Sequence, residues 1–326
     1  MQRLFLGRTG LAVTPLGIGL AAIGRPAYIN LGREKDLPSE RGPEALRERA
    51  HQLLDRAYQL GVRYFDVARS YGLAEDFLAS WLRRREPLPE AVVCGSKWGY
   101  TYVGDWRMDV PVHELKDHSL ATLQRQYKES RALLGPHLQL YQVHSATIES
   151  GVLENSQVLG ELVRMRSDGI AIGLTVSGAG QAEVVDRALA VSVDGVNPFS
   201  TVQATWNLLE PSAGAALGRA HAAGWGVLVK EALGNGRLLA PDAPGLAGLR
   251  QLARDREVGV DAICLAAVLS QPWADVVLSG AVTEVQVESN AAAATLHLSQ
   301  ADLDEMDGLR EPAPQYWSRR RALSWS

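Results

Sequence analysis

From residue 16 onward, short apolar runs alternate with longer stretches in which apolar residues recur at helical spacing. Runs of strand type occupy residues 16–20, 64–67, 91–96, 138–144, 170–177, 195–196 continuing toward 201–204, 226–230 and 275–279. Several are apolar on consecutive positions, as in LYQV and VLVK, which suits strands covered on both faces. Helical periodicity fills 44–60, 74–85, 112–134, 157–168, 181–190, 212–223 and 260–270, with 286–295 after the eighth run. In 44–60, Leu46, Ala50, Leu53, Leu54, Ala57 and Leu60 form one stripe that Gly61 ends. A last helix begins at Ser299, an N-cap with Asp302 three residues on.

Eight βα units favour a parallel sheet with right-handed crossovers, closed on itself as a (β/α)8 TIM barrel of α/β class. The competing open, doubly wound sheet would carry G-x-G-x-x-G just after its first strand. The residues there, LAAIGRPAYINLGREKDLPSERG, lack that spacing, as do the glycines around 178 and 234–236. No linker or shift in composition divides the chain, so residues 1–326 read as one domain. Two conspicuous insertions, 25–43 and 98–110, follow strands and are expected over the C-terminal mouth of the barrel, where barrel enzymes keep their active sites.

Charge narrows the partners. A net charge of −4 gives no reason to expect a nucleic acid. The arginine runs at 83–85 and 319–321 read as a solvated helix end and a solvated tail. Cys94 and Cys264 lie far apart in apolar surroundings, which suits buried thiols in a reducing compartment and neither a disulfide nor a metal site. The N-terminus has no secretory apolar core, and no stretch reaches the roughly 18 apolar residues of a membrane span. The expectation is a cytoplasmic protein with no metal and a small-molecule partner; oligomerisation is left open.

Four polar residues stand at or just beyond the ends of successive strands: Asp66 in YFDVA, Tyr71 in VARSYG, Lys97 in CGSK and His144 in LYQVH. Singly, each has an ordinary reading as a cap, a packing residue, a solvated loop lysine or a core histidine. On a barrel all four meet at one mouth. A phenol near an ammonium has its phenolate favoured, so the Tyr71 pKa is expected to fall toward neutrality and make it a usable general acid or base. Asp66 would then hold Lys97, and His144 would orient a carbonyl oxygen.

The opening RLFLGRTGLAVTPLGIG, the segments FDVARSYG, GSKWG and LYQVHS, and then IGLTVSG, VQATWNLL, VKEALGNGRL and VVLSGAVTEVQVESN follow one another in an order that resembles the aldo-keto reductases, from about residue 3 to about residue 310. The resemblance implies an N-terminal β-hairpin at about 3–14 that plugs the barrel, with a tail at about 311–326. It implies that Asp66, Tyr71, Lys97 and His144 are the family's catalytic tetrad in an NAD(P)(H)-dependent oxidoreductase acting on an aldehyde, ketone, aldose or deoxysugar. Gln203 and Thr175 match residues at the nicotinamide carboxamide, with Val176 where Asn is frequent. Leu233, Gly234 and Gly236 match a loop whose backbone N–H groups meet the pyrophosphate. Ser279, Gly280, Ala281, Val282, Gln286 and Asn290 match the segment around the adenosine.

Two departures matter. Lys230 stands where an aromatic commonly stacks on the nicotinamide, with Trp206 or Trp98 as candidates to replace it. The Arg or Lys residues that commonly grip the adenosine 2′-phosphate are replaced by Gly280, Val282 and Gln286, and Gln donates a hydrogen bond but supplies no charge. NADP(H) is the family norm; these residues admit NAD(H). Trp98, Tyr100, Tyr102 and Trp106 are candidates for the substrate pocket, or else anchor their own loop. Tyr316, Trp317 and Trp325 in the tail either cover the mouth or pack along the barrel. A redox-neutral epimerase and a cofactor-sensing barrel without turnover are the competing functions.

Overall fold

The structure, a computed structural model, describes every residue of the chain except 38–39, 89, 242–244 and 326. Two short strands, β1 (Leu4–Phe5) and β2 (Ala12–Val13), pair antiparallel ahead of the first barrel strand, β3 (Leu16–Gly19). After it come α1 (Arg33–Asp36), α2 (Pro43–Gln59), β4 (Tyr64–Asp66), α3 (Ala74–Arg85), β5 (Val93–Trp98), β6 (Tyr100–Tyr102), β7 (Glu114–Lys116), α4 (Leu120–Leu134) and β8 (Leu138–Ala146). The second half runs α5 (Ser156–Ser167), β9 (Ala171–Val176), α6 (Gln181–Ala190), β10 (Thr201–Thr205), α7 (Gly214–Ala222) and β11 (Gly226–Lys230). It ends with α8 (Ala247–Asp255), α9 (Val260–Leu269), β12 (Val276–Ser279), α10 (Glu284–Ala291), α11 (Gln300–Met306) and α12 (Ala313–Arg321). Strands β3, β4, β5, β8, β9, β10, β11 and β12 pair in parallel and close into a barrel, β12 returning to β3.

Two readings of the chain are corrected. Residues 195–196 belong to no barrel strand: Val193 and Val196 exchange backbone hydrogen bonds across Asp194 and Gly195, both at positive φ (49° and 81°), so the chain reverses there. The stretch 112–134 is not one helix either. β7 pairs antiparallel with β6, and α4 starts only after Ser119, whose hydroxyl accepts from the Thr122 N–H. Helices α8 and α12 lie outside the expected elements, although Leu249, Leu252 and Ala253 of α8 recur at helical spacing.

The lower barrel is filled by side chains from β4, β5, β8, β11 and β12. Tyr64, Val93, Leu140, Leu228, Val276 and Leu278 form a cluster with Leu6 and Val13 of the hairpin. Leu6 is fully buried and lies against the backbone at Gly226, where an added Cβ would come within 2.5 Å of its Cγ. The hairpin therefore seals the bottom by close approach, which only glycine at 226 permits. Both thiols are buried and free, and burial pushes Cys94 up to about 12, leaving it an inert packing residue.

Leu6→Ala should open a cavity under the barrel and destabilise the fold by about 2–5 kcal/mol. A urea titration should show this as a lower midpoint at unchanged slope.

Candidate active site

β4 ends on Asp66, β5 carries Lys97 and β8 carries His144, so parallel pairing of β4, β5 and β8 brings the three side chains to the same end of the barrel. Lys97 is buried, paired with Asp66 Oδ1, and donates to the Val67 carbonyl at 3.0 Å. The other carboxylate oxygen, Asp66 Oδ2, accepts from Tyr64 Oη at 3.1 Å and from Gln203 Nε2 at 3.0 Å. Tyr71 sits in the turn after β4, with its hydroxyl 3.4 Å from His144 Nε2 and its ring centre 4.9 Å from Lys97 Nζ. His144 Nδ1 lies 3.4 Å from Ser70 Oγ, and the His144 carbonyl accepts from His118 Nε2 at 2.9 Å.

The electrostatics correct one expectation. Burial pushes the Tyr71 phenol well above its ordinary value, and the Asp66 carboxylate adds to the rise. Lys97 does not draw it toward neutrality, because its charge is paired with Asp66, whose opposite charge faces the same phenol. Tyr71 keeps its proton at neutral pH. Burial, with Lys97 and Lys230 nearby, drives the His144 imidazole well below its ordinary value, so that ring is neutral.

A cleft of about 500 Å³ opens above these groups. Of the residues singled out from the sequence, Asp66, Tyr71, Tyr100, His144, Gln203, Lys230, Leu233, Gly236, Ser279, Gly280, Ala281, Val282, Gln286 and Asn290 line it. Lys97 lies beneath the lining, on Asp66. Gly234 is buried behind it, and Thr175 is buried with its hydroxyl accepting from the Ser145 N–H at 2.7 Å. Trp98 does not line the cleft: it is fully buried, edge-on to His118 at 5.5 Å between ring centres. Tyr102 and Trp106 border a separate recess with Leu73 and Asp105, and Trp106 Nε1 donates to the Arg41 carbonyl at 2.7 Å. Trp106 thus ties its loop to the 25–43 segment. Trp206 packs on Trp273 and also lies outside the cleft lining.

In the adenosine-type segment, Ser279 Oγ donates to Asn290 Oδ1 at 2.5 Å and accepts from the Ala281 N–H at 3.2 Å. Asn290 Nδ2 donates to Asp261 Oδ2 at 2.5 Å. Gln286 Oε1 accepts from the Val282 N–H at 2.9 Å, and its Nε2 donates to Asp36 Oδ2 at 2.8 Å.

Several lining residues have no sequence signal. The segment 25–43, of which 38 and 39 lie outside the described residues, forms one wall. Arg33 is buried there, donating to the carbonyls of Ala22, Pro26 and Arg25 at 2.8, 2.9 and 2.8 Å, and burial lowers it to about 9. Arg25 donates to Glu114 Oε1 at 2.7 Å and stands over the rings of Tyr28, Tyr71 and Trp325 at 5.1, 5.3 and 4.7 Å. The tail is not merely solvated. Tyr316 and Trp317 are buried in a side cluster, Trp325 lines the mouth stacked on His113 at 4.2 Å, and Arg320 clamps Glu231 through both carboxylate oxygens. Residue 326 lies outside the described residues.

Glu231 is buried at a positive φ of 57° between Arg320 and Lys230. Burial alone would raise its carboxyl, but the two cations outweigh burial and hold it at about 2. Lys230 Nζ donates to Thr205 Oγ1 at 2.7 Å and Ser177 Oγ at 3.0 Å, and burial lowers it to about 8. Among the described residues, no three His, Cys, Asp or Glu side chains are grouped to hold a metal. No helix of the described residues is long and apolar enough to cross a membrane.

This barrel and its mouth match the model of the aldo/keto reductase family over residues 39–311, and the chain belongs to that family. Members of the family are oxidoreductases that generally use NAD(P)H on small carbonyl compounds. Among curated proteins the chain is 29% identical over 164 residues to pyridoxal 4-dehydrogenase of Microbacterium luteolum, covering 44% of this chain and 43% of that protein. The match thus spans less than half of that relative. Among solved structures, the holo form of the aldo-keto reductase AKR11C1 from Bacillus halodurans superposes with a TM-score of 0.70 at 20% identity, covering 96% of this chain and 97% of that one. The glycerol dehydrogenase AKR11B4 of Gluconobacter oxydans gives a TM-score of 0.72 at 20% identity over 94% of each chain. At that identity the two share the fold.

Removing the Arg320 guanidinium should leave Glu231 buried with one cation fewer. Arg320→Ala is expected to lose about 3–5 kcal/mol of unfolding free energy at pH 7. Because the folded pKa of Glu231 lies below its ordinary 4.5, the stability it contributes is present above that value and lost as pH falls toward 2. The gap between variant and parent should therefore close across that window, which urea titrations at stepped pH would read.

Proposed function

We propose that this chain catalyses NAD(P)(H)-dependent hydride transfer between the nicotinamide and a carbonyl or alcohol carbon of a small substrate, with Tyr71 moving the proton. The observation that carries the reading is the meeting of Asp66, Tyr71, Lys97 and His144 at one end of one cleft.

The residues present fit a dinucleotide. Gly234, Asn235 and Gly236 hold consecutive positive φ values of 57°, 56° and 87°, a tight turn at the cleft wall in which the Gly234 and Gly236 N–H groups donate to the Glu231 and Leu233 carbonyls. Asn235 is buried in the cleft wall and its Oδ1 has no partner, an acceptor left for a ligand. Gln203, Lys230, Leu233 and Gly236 would hold the nicotinamide and phosphate portions, and Ser279 through Val282 with Gln286 and Asn290 the adenosine. When bound, the cofactor supplies or accepts a hydride.

The chain's own groups do the rest. A substrate oxygen set between Tyr71 Oη and His144 Nε2 receives two hydrogen-bonding partners. Tyr71, protonated at neutral pH, donates to the oxygen in the reducing direction and takes the proton back in oxidation. Neutral His144 orients the oxygen without adding charge. Lys97, held by Asp66, keeps its ammonium 4.9 Å from the centre of the Tyr71 ring. Aldehydes, ketones, aldoses and deoxysugars form the substrate class; the activities in the names of the relatives above, on pyridoxal and glycerol, belong in the first panel.

Tyr71→Phe is expected to lower turnover about 10²–10⁴-fold while nucleotide binding, followed by tryptophan fluorescence, stays within a few-fold. Full turnover by the variant on every substrate the parent accepts would sink the reading.

A further inference from the structure

The far corner of the cleft is lined by acceptors. Asp36, at the end of α1 on the 25–43 wall, reaches across to the β12–α10 turn and accepts from Gln286 Nε2 at 2.8 Å. That hydrogen bond, with the Val282 N–H on Oε1, engages both ends of the Gln286 amide. Asp261, also in the lining, takes the Asn290 amide at 2.5 Å and the Ser289 hydroxyl at 2.8 Å. Arg49 approaches this corner from outside the cleft lining, its Nη1 donating to the backbone carbonyls of Asp36 and Val282, each at 3.3 Å. Independently, Asn235 on the opposite wall turns an unpartnered buried oxygen to the same cleft.

Such a corner suits hydroxyl groups, which donate, and opposes a phosphate, which brings charge and needs donors. We infer that the corner formed by Asp36, Gln286 and Asp261 reads an unphosphorylated ribose, making the protein selective for NAD(H) over NADP(H). The inference rests on the functional reading above, which places the adenosine on the β12–α10 segment. A ribose 2′-hydroxyl would donate to the Asp36 carboxylate; a 2′-phosphate in its place would set two or nearly two negative charges beside Asp36 and near Asp261. Losing a charge-assisted hydrogen bond and adding like-charge repulsion together correspond to a selectivity of about ten- to a hundredfold. Asp36 is exposed, so the repulsive part weakens with salt while the hydrogen bond persists.

The test is a pair of fluorescence titrations of the full chain with NADH and NADPH, at low and at physiological ionic strength. The expected result is NADH tighter by at least tenfold, with a smaller ratio at the higher salt. Equal affinities, or tighter NADPH, would overturn the inference and leave the functional reading standing. Binding of neither nucleotide would overturn the functional reading and this inference with it. Asp36→Asn keeps size and an acceptor but removes the charge, and should cut the ratio several-fold. Asp36→Ala combined with Gln286→Arg should bring NADPH to parity or better, and an unchanged ratio in both variants would overturn the assignment of these residues.

Discussion

The buried pair of Lys97 and Asp66 is the constraint around which the mouth of the barrel is arranged. Two ions withdrawn from water cost several kcal/mol each unless their remaining hydrogen-bonding capacity is met. Here it is met from three directions: the Val67 carbonyl accepts a hydrogen bond from Lys97, and Tyr64 and Gln203 donate to Asp66. Those partners come from β4, from the residue just after it and from β10 across the barrel, so the pair holds only when the sheet is closed. With the two charges matched to each other, neither is free to ionise Tyr71 or protonate His144. Burial then decides both, keeping the phenol protonated and the imidazole neutral.

Around that centre the walls are built from segments outside the barrel strands. The 25–43 segment is tied by the Arg33 guanidinium to three carbonyls and by the Leu31 N–H to the Asn235 carbonyl at 3.0 Å. The tail is anchored by Tyr316, whose hydroxyl accepts from Asn207 Nδ2 at 3.0 Å, and by Arg320 on Glu231. Glu231 is the hinge of this arrangement. At a positive φ it leaves β11 sharply, placing its carboxylate between a barrel lysine and a tail arginine. Strain at a non-glycine residue is tolerated because two cations hold the side chain in place.

How much of this can be read from residues alone follows from the range of the forces involved. Strands and amphipathic helices are local patterns, so the eight-stranded barrel is legible, as are Asp66, Tyr71, Lys97 and His144 at strand ends. The reversal at Asp194–Gly195 is hidden because Val193 and Val196 look like strand residues until the turn between them is weighed. Glu114–Lys116 passes for helix because its partner strand, Tyr100–Tyr102, lies in an insertion with no periodicity of its own. Arg25, Arg320, Asp36 and Asp261 join the mouth only through contacts distant in sequence. The arginine run at 319–321 looks uniform, yet Arg320 turns inward while Arg319 pairs with Glu311 on the outside. Trp98 misleads the other way: an aromatic beside the tetrad lysine invites a ligand, but the alternation of β5 sends it into the packing against His118.

The distribution of charge along the cleft is the feature with most consequence. At the tetrad end, Arg25, Lys97, Lys230 and Arg320 meet Glu114, Asp66 and Glu231, four cations against three carboxylates, and Lys230 is the one left with the weakest ionic contact, 3.9 Å from Glu231. Its depressed pKa of about 8 is a consequence of that position, set by burial and by Arg320 and Lys97. At the other end, Asp36 and Asp261 face the cleft and the neutral amides between them are engaged. The two ends of the cleft thus carry different groups, interleaved ion pairs at one and two carboxylates with Arg49 on the Asp36 carbonyl at the other. The same asymmetry makes the two ends separable. Changes at Lys230 alter the charge beside His144, while changes at Asp36 act at the far corner, since among the described residues the hydrogen bonds of Asp36 lead to Arg49 of α2 and Gln286 of α10.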